Sequence, residues 1–445
     1  MQSQRFTSTF GFLMAATGFA VGLGNIWRFP YMTGENGGGA FVFVYIICAV
    51  LIGIPIMIAE VMTGRSGRAN PTQAFFNIAN RENLSPTWRH VGNLNLLTAF
   101  IILGTYCVVA GWVLWYLYKA VVTGFAGVDV HIANQNFTRV LDSIGPMTFW
   151  TFISLALTGT IIFFGVTQGI ERSVRILMPS LLILICSLVA YNAFQDGFRD
   201  AVSYLFTPDF SKIDGGTFLA AIGQAFFSVG VAMAGMMIFG AYLPGNVSIA
   251  KCALIIIVID TLVALMAGLM IFPMVFRFGL DPSSGTGLIF QTLPIAFAQM
   301  PGGHLVAIVF FTLLSVAAIT SMVGLMEPLV AWLDEKTKLS RETSTATMLA
   351  LLGALGIASV LSYNVIADVQ LLNRDLNGIL DFISSQITLP IGGLLIAIFV
   401  GWQVSRETSQ KELSDLPTIA FNIWHMLIRY LLPAAITLIL ITGLE

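Results

Sequence analysis

The sequence predicts an all-α protein built into a membrane, with about eleven transmembrane helices. Three observations carry that prediction. Of 445 residues, 57% are hydrophobic and only 10% charged, where a soluble domain averages about 25% charged. Apolar runs of about 20 residues, the length that crosses a ~30 Å hydrocarbon core, recur along the whole chain. Lys and Arg, finally, gather in alternate loops, as the positive-inside rule expects of a polytopic protein. Lipid offers no water to backbone amides and carbonyls, so helices, which satisfy both internally, are the expected form.

The spans are expected at 8–33, 38–63, 90–121, 147–166, 168–193, 217–243, 247–277, 305–334, 344–363, 380–403 and 420–442. The first seven residues are polar and no small-residue cleavage signature follows, so the start reads as mature protein and not as a signal peptide. With the N-terminus inside, thirteen Lys and Arg residues fall on the cytoplasmic side, among them Arg65, Arg68, Lys336 and Lys338, against six outside. That assignment predicts a multi-pass protein of a bacterial inner membrane with a cytoplasmic N-terminus and Glu445 outside. Loops are expected to be short except around 64–89, 194–216 and 278–304. The last contains Asp281-Pro-Ser-Ser-Gly and Pro301-Gly-Gly, and its apolar middle, 287–299, predicts short helices packed on the outer face. No stretch reads as a separate soluble domain. One membrane domain over 1–445 is expected, with a first block of five spans over about 8–193, a second over about 217–403, and an extra helix at about 420–442.

Several function classes are disfavoured by the same composition. A net charge of -2 leaves no concentrated basic face for a nucleic acid. Cys48, Cys107, Cys186 and Cys252 all sit in apolar runs without CxxC spacing, and read as small buried side chains. His90, His131, His304 and His425 fall near span ends, so the nucleophile–base pair or metal cluster of an intramembrane hydrolase is not in view. The chain is not expected to be an enzyme. A channel would need a ring of like polar residues along a continuous pore, which no span supplies.

Two spans carry helix-weakening residues at mid-depth. The first reads Ala16-Thr17-Gly18-Phe19-Ala20-Val21-Gly22-Leu23-Gly24-Asn25-Ile26-Trp27-Arg28-Phe29-Pro30. Each of its three glycines weakens a helix by about 1 kcal/mol relative to alanine. The spacing fits close packing against a neighbouring helix, or a break that frees carbonyls and amides for a ligand. The sixth span favours the break, since Gln224-Ala225-Phe226-Phe227-Ser228-Val229-Gly230-Val231-Ala232-Met233-Ala234-Gly235 is small-rich at a similar depth. These are the first spans of the two blocks, and paired interruptions in corresponding segments point to a transporter's central site. Two acids lie inside the membrane, Glu60 in span 2 and Asp260 in span 7, each costing at least ~2.5 kcal/mol if unpaired at the bilayer centre. Glu60 reads as an acceptor for amides orphaned beside a broken helix. Asp260, alone in the apolar run 254–270, suits a cation, with proton relay as the rival role.

At these residues the chain resembles the neurotransmitter:sodium symporter family, and within it an eleven-helix bacterial subgroup of amino-acid transporters similar to the leucine transporter. The resemblance rests on Ala20 to Pro30, Glu35-Asn36-Gly37-Gly38-Gly39-Ala40-Phe41, Tyr106 with Gly111-Trp112, Gly169-Ile170-Glu171-Arg172, Gln224 to Ser228, and Thr320-Ser321 ahead of Glu327-Pro328. It runs from about residue 6 to 440. Paired helix breaks are a trait of that family, so they do not support it independently.

The resemblance implies a sodium-coupled symporter that imports an amino acid by alternating access, with a proton-coupled carrier, or a sodium-coupled carrier of another small zwitterion, as the alternative. It implies two sodium ions. The first would be held by the Ala20 carbonyl, Asn25, Ser228, Asp260 and the substrate carboxylate. The second would take carbonyls of Gly18, Val21 and Ala317 with the hydroxyls of Thr320 and Ser321. Oxygen-only shells suit a hard alkali cation, and an unwound helix supplies such carbonyls without extra charge. The substrate carboxylate would meet amides near Gly22 and Gly24 and the Tyr106 hydroxyl. Monoamine carriers of the family place an Asp where Gly22 stands, so an amino acid is favoured here. Phe19, Ile102, Phe227, Gly230, Met233, Ser321 and Leu325 would line an apolar side-chain pocket, implying a hydrophobic or aromatic substrate. Arg28 and Asp381 would close the outside over Tyr106 and Phe227, and Arg5 with Asp334 or Glu335 would close the inside, although Phe6 replaces the family's tryptophan there. Gly169 and Pro179 match a spacing linked to unwinding of the fifth helix. Chloride, which related animal carriers bind near the first sodium, is not expected, because Asp260 replaces their asparagine. Partners beyond the amino acid and the bilayer are not implied.

Overall fold

Hydrophobic runs become helices throughout. The computed structural model describes residues 5–443 except Ser284, Thr286 and Leu372, so Glu445 and part of the 281–285 motif lie outside the described residues. Among those residues, nine helices are long and apolar enough to cross a membrane: Gly39–Gly67, Pro86–Val122, Ile144–Phe163, Val166–Ala193, Ile249–Arg277, Gly303–Thr337, Arg341–Ser362, Leu376–Gln403 and Thr418–Thr442. A bent pair, Thr9–Ala20 and Gly24–Glu35, makes another crossing. The half-helices Gly215–Val229 and Gly235–Tyr242 complete the eleven expected spans as a second interrupted one. They are called spans 1 to 11 below, in chain order.

Both interruptions have local causes. The halves of span 1 meet at 47°. Ser8 caps the first half by accepting from the Gly11 amide at 3.0 Å, and the half ends at Ala20, where the last carbonyls lose their partners. In span 6 the first half starts on an Asp214–Thr217 capping box and stops at Gly230, which turns left-handed at φ 68°. Ala232 and Ala234 are left-handed too, at φ 59° and 64°, although such a conformation costs an L-residue roughly 1–2 kcal/mol. Surrounding contacts hold the strain. Glu60 accepts a hydrogen bond from the Ala232 amide, the acceptor role its sequence context implied.

Three expectations need correction. The stretch between spans 3 and 4 was expected to be a short loop, but it carries the helix Val130–Asp142. That helix is amphipathic and mostly polar, so no hydropathy run marks it. Among the cysteines, Cys186 is exposed while Cys48, Cys107 and Cys252 are buried. It lies on the outward face of span 5, where an apolar side chain meets lipid instead of protein. Span 5 remains helical from Arg172 to Ala193 with Pro179 inside it, Gly169 sitting in the π-helical turn Val166–Glu171. In the 278–304 connection, Leu288–Thr292 and Leu293–Gln299 form the short helices expected there.

Candidate substrate and sodium site

The two breaks converge. Phe19, Ala20, Gly22, Gly24, Ile102, Tyr106, Phe227, Gly230, Met233, Ser321 and Leu325 line one cavity of about 30 Å³. Eleven of the twelve residues expected around the substrate are therefore brought together, from spans 1, 3, 6 and 8. Ser228, the twelfth, turns away toward Asp260. Gly22 is a contact point for three elements, since a Cβ there would stand 2.2 Å from Ser321 Oγ and 3.2 Å from the Tyr106 hydroxyl. The Leu23 amide donates to that hydroxyl at 3.2 Å, leaving the phenolic proton free to donate to another acceptor.

Beside this cavity lies a buried polar cluster. Asn25, Ser228 and Asp260 are almost fully excluded from solvent, at 0%, 2% and 0% exposure. Asn25 Nδ2 donates to Asp260 Oδ1 at 2.8 Å and to Ser228 Oγ at 3.0 Å. Ser228 Oγ donates to Asp260 Oδ2 at 2.7 Å. Tyr45 reaches the same carboxylate oxygen at 3.4 Å. Asn25 Oδ1 accepts from the Gly22 amide at 3.2 Å, tying the cluster to the first break. Among the described residues no Lys or Arg pairs with Asp260. A buried carboxylate held only by neutral donors is electrostatically incomplete, and the Ser228 and Tyr45 hydroxyl oxygens beside it are of the kind a hard cation takes.

The second expected ion position is assembled from spans 1 and 8. Ser321 Oγ donates to the Phe19 carbonyl at 3.1 Å and lies 3.5 Å from the Gly18 carbonyl. Thr320 Oγ1 donates to the Ala317 carbonyl at 3.1 Å. Gly18 also packs against span 5, where a Cβ would meet Met178 Sδ at 3.0 Å. Thus Gly18, Ala317, Thr320 and Ser321 are neighbours, with Val21 at the end of the same half-helix, its amide spent on Thr17 at 2.7 Å. No group of three or more His, Cys, Asp or Glu exists among the described residues, so a transition-metal cage is not available here.

The gates differ from expectation. Arg28 and Asp381 line a shared cavity of about 240 Å³ with Tyr106, Phe227 and Ile102, and these last three also line the smaller cavity. They form the partition between the two. Yet no ion pair joins Arg28 to Asp381 among the described residues. The Arg28 guanidinium lies 4.4 Å from the Phe227 ring centre, and Asp381 accepts from Ser385 one turn along at 2.9 Å. Inside, Arg5 pairs with neither Asp334 nor Glu335. Glu171 holds Thr7 through its amide at 2.8 Å and its hydroxyl at 2.6 Å, while the Arg5 carbonyl accepts from Thr167. The segment is thereby tethered to span 5. Glu335 is taken by the Asn70 side chain instead. Phe6, beside Arg5, is buried, 2% exposed, and edge-on to Phe12, Phe239 and Tyr242. Asp381→Ala should still impair uptake by at least about fivefold, a typical size for lost coupling between states, if the pair forms on closing. Normal uptake with matched expression would show that it does not.

Sequence reading missed one ionic network. Glu327 is buried and receives Arg341 at 2.6 Å and the Tyr242 hydroxyl at 2.7 Å. Glu327 was visible as an acid ahead of Pro328, but its partner stands across a turn in the next span, beyond what spacing reveals.

Comparison with known proteins decides the family. The family model described as "Sodium:neurotransmitter symporter family" matches residues 3–132 and 125–445. The chain belongs to this family. It is 33% identical to the "uncharacterized sodium-dependent transporter YhdH" of Bacillus subtilis (strain 168), over 98% of this chain and 96% of that one. A similar sodium-dependent transporter of Haemophilus influenzae (strain Rd) is also 33% identical, over 100% and 98%. Among solved structures, MhsT in complex with L-phenylalanine superposes with a TM-score of 0.91 at 36% identity, covering 99% of both chains. Sodium:neurotransmitter symporters are secondary transporters and not enzymes. This member is accordingly a multi-pass, sodium-dependent transporter.

Proposed function

We propose that this carrier imports a hydrophobic or aromatic amino acid together with two sodium ions, from the outside to the cytoplasm of a bacterial inner membrane, with its N-terminus cytoplasmic. The observation that carries the reading is the placement of an apolar cavity directly against the Asn25–Ser228–Asp260 cluster. An amino acid would turn its carboxylate toward Tyr106 and the first break, close enough to share a cation with Asp260. Its side chain would meet Phe19, Ile102, Met233 and Leu325. Gly22 supplies no counter-charge to a bare amine, which disfavours monoamines. The superposing structure carries L-phenylalanine, consistent with a pocket of this lining.

Sharing ligands makes each species tighten the other, by about 1–3 kcal/mol in ordinary coupling. The test is uptake of labelled phenylalanine, leucine, valine and glycine into proteoliposomes. A sodium gradient should drive accumulation of the apolar amino acids, and potassium or choline should not replace it. Undiminished uptake on a proton gradient alone would refute sodium coupling and make Asp260 a proton site.

A further inference from the structure

Behind the cavity, the Phe19 ring rests on glycine α-carbons from two different spans. A Cβ built on Gly324 of span 8 would stand 2.3 Å from Phe19 Cδ2, 2.4 Å from Cγ and 2.6 Å from Cβ. One built on Gly235, at the start of the second half of span 6, would stand 2.4 Å from Cε1 and 2.6 Å from Cζ. Neither glycine has a left-handed backbone, so torsion does not demand it. Each lies within a helix, where alanine would be the better helix former by about 1 kcal/mol. What these positions provide is room for the ring.

We propose that Gly324, assisted by Gly235, sets the largest side chain this carrier accepts, by letting the Phe19 ring sit back from the cavity. The proposal rests on reading that cavity as the amino-acid pocket. Phe19 is 4% exposed, and its ring meets Phe239 edge-on at 6.2 Å. Span 8 stands against one face, the second half of span 6 against the far edge, and Phe239 beyond. The remaining direction leads into the cavity that Phe19 shares with Ile102, Met233 and Leu325. A methyl at Gly324 strikes the base of the side chain, at Cβ and Cγ, so turning the ring about its own axis gives no relief. Because Cβ moves only with the main chain, Phe19 must shift as a whole away from span 8, toward the substrate. A methyl at Gly235 strikes the far edge of the ring and also stands 2.9 Å from the Gly324 carbonyl, so it asks less of the side chain itself. Both glycines therefore favour large side chains, Gly324 more strongly.

The experiment compares uptake efficiencies of phenylalanine and valine in reconstituted wild type, Gly324→Ala, Gly235→Ala and Gly324→Ala/Phe19→Ala. One methyl of pocket room is worth on the order of tenfold in discrimination. The phenylalanine-to-valine ratio should fall about tenfold in Gly324→Ala and less in Gly235→Ala. It should recover in the double variant, whose residue 19 has neither the Cγ nor the ring that meets the added methyl most closely, with uptake sodium-dependent throughout. Should Gly324→Ala not fold, the milder Gly235→Ala carries the same test. An unchanged ratio in an active single variant refutes the proposal alone. Failure of the wild type to take up any amino acid would refute the amino-acid reading, and this proposal with it.

Discussion

Replacing Asp260 with alanine should abolish sodium-driven uptake, a loss on the order of a hundredfold or more, at the upper end of ordinary coupling between bound species. The residue is wholly buried in span 7, and its two carboxylate oxygens are held by Asn25 and Ser228 with Tyr45 nearby. Those donors are neutral, so the carboxylate is the only full charge in the cluster. Asp260→Asn keeps the shape and removes that charge, which separates geometry from electrostatics. If Asp260 supplies the negative charge that balances a cation, a chloride bound beside it would place two anions together in a low-dielectric site, at heavy cost. Wild-type uptake should therefore be the same when gluconate replaces chloride. Asp260→Asn should be inactive, or should acquire a chloride requirement. Collapse of wild-type uptake without chloride would mean that the carboxylate is not the balancing charge.

The second large effect is on stability. Glu327→Leu should destabilise the carrier by about 3–5 kcal/mol, because it removes the buried carboxylate that the Arg341 guanidinium pairs with. Arg341 is 11% exposed and Glu327 0%, so water can screen little of that charge. The Tyr242 hydroxyl loses its acceptor in the same step. Replacing both members of the pair, as in Glu327→Leu with Arg341→Met, should recover most of the loss, since a buried pair is often worth little more than apolar residues of similar volume. Unfolding of the purified carrier in detergent, followed by denaturant titration, gives both values. A single-variant loss below about 1 kcal/mol would place the pair among weak, solvent-screened ones. Because Glu327, Arg341 and Tyr242 belong to spans 8, 9 and 6, the single variant should also loosen the packing around Phe6, whose amide donates to the Tyr242 carbonyl at 3.3 Å.

Much of the architecture follows from local patterning. Hydropathy located the eleven spans to within a few residues, because a segment in lipid must be apolar along its own length whatever it packs against. The two breaks were visible for the same reason, as glycines and small residues weaken a helix locally. Spacing failed where the signal was weak or the partner distant. The amphipathic helix Val130–Asp142 has no apolar run, and alanine has no local preference for the left-handed backbone that residues 232 and 234 adopt.

By itself, then, the sequence determined that the chain is a bundle of membrane helices with two interrupted spans, which is a property of composition and of neighbours along the chain. Which side chains crowd around those interruptions was implied only by the resemblance to a known family. Only the tertiary structure decided which polar groups actually meet. It set Arg28 over Phe227 and Asp381 against Ser385, held the segment before span 1 on Glu171, paired Glu327 with Arg341, and seated Phe19 on Gly235 and Gly324. Each of these contacts joins separate parts of the chain, except that of Asp381 with Ser385, one turn along the same helix, which stands where no ion pair with Arg28 forms. The distance between packed helices is set by the whole assembly and by which side of the carrier is closed, and no local pattern encodes it.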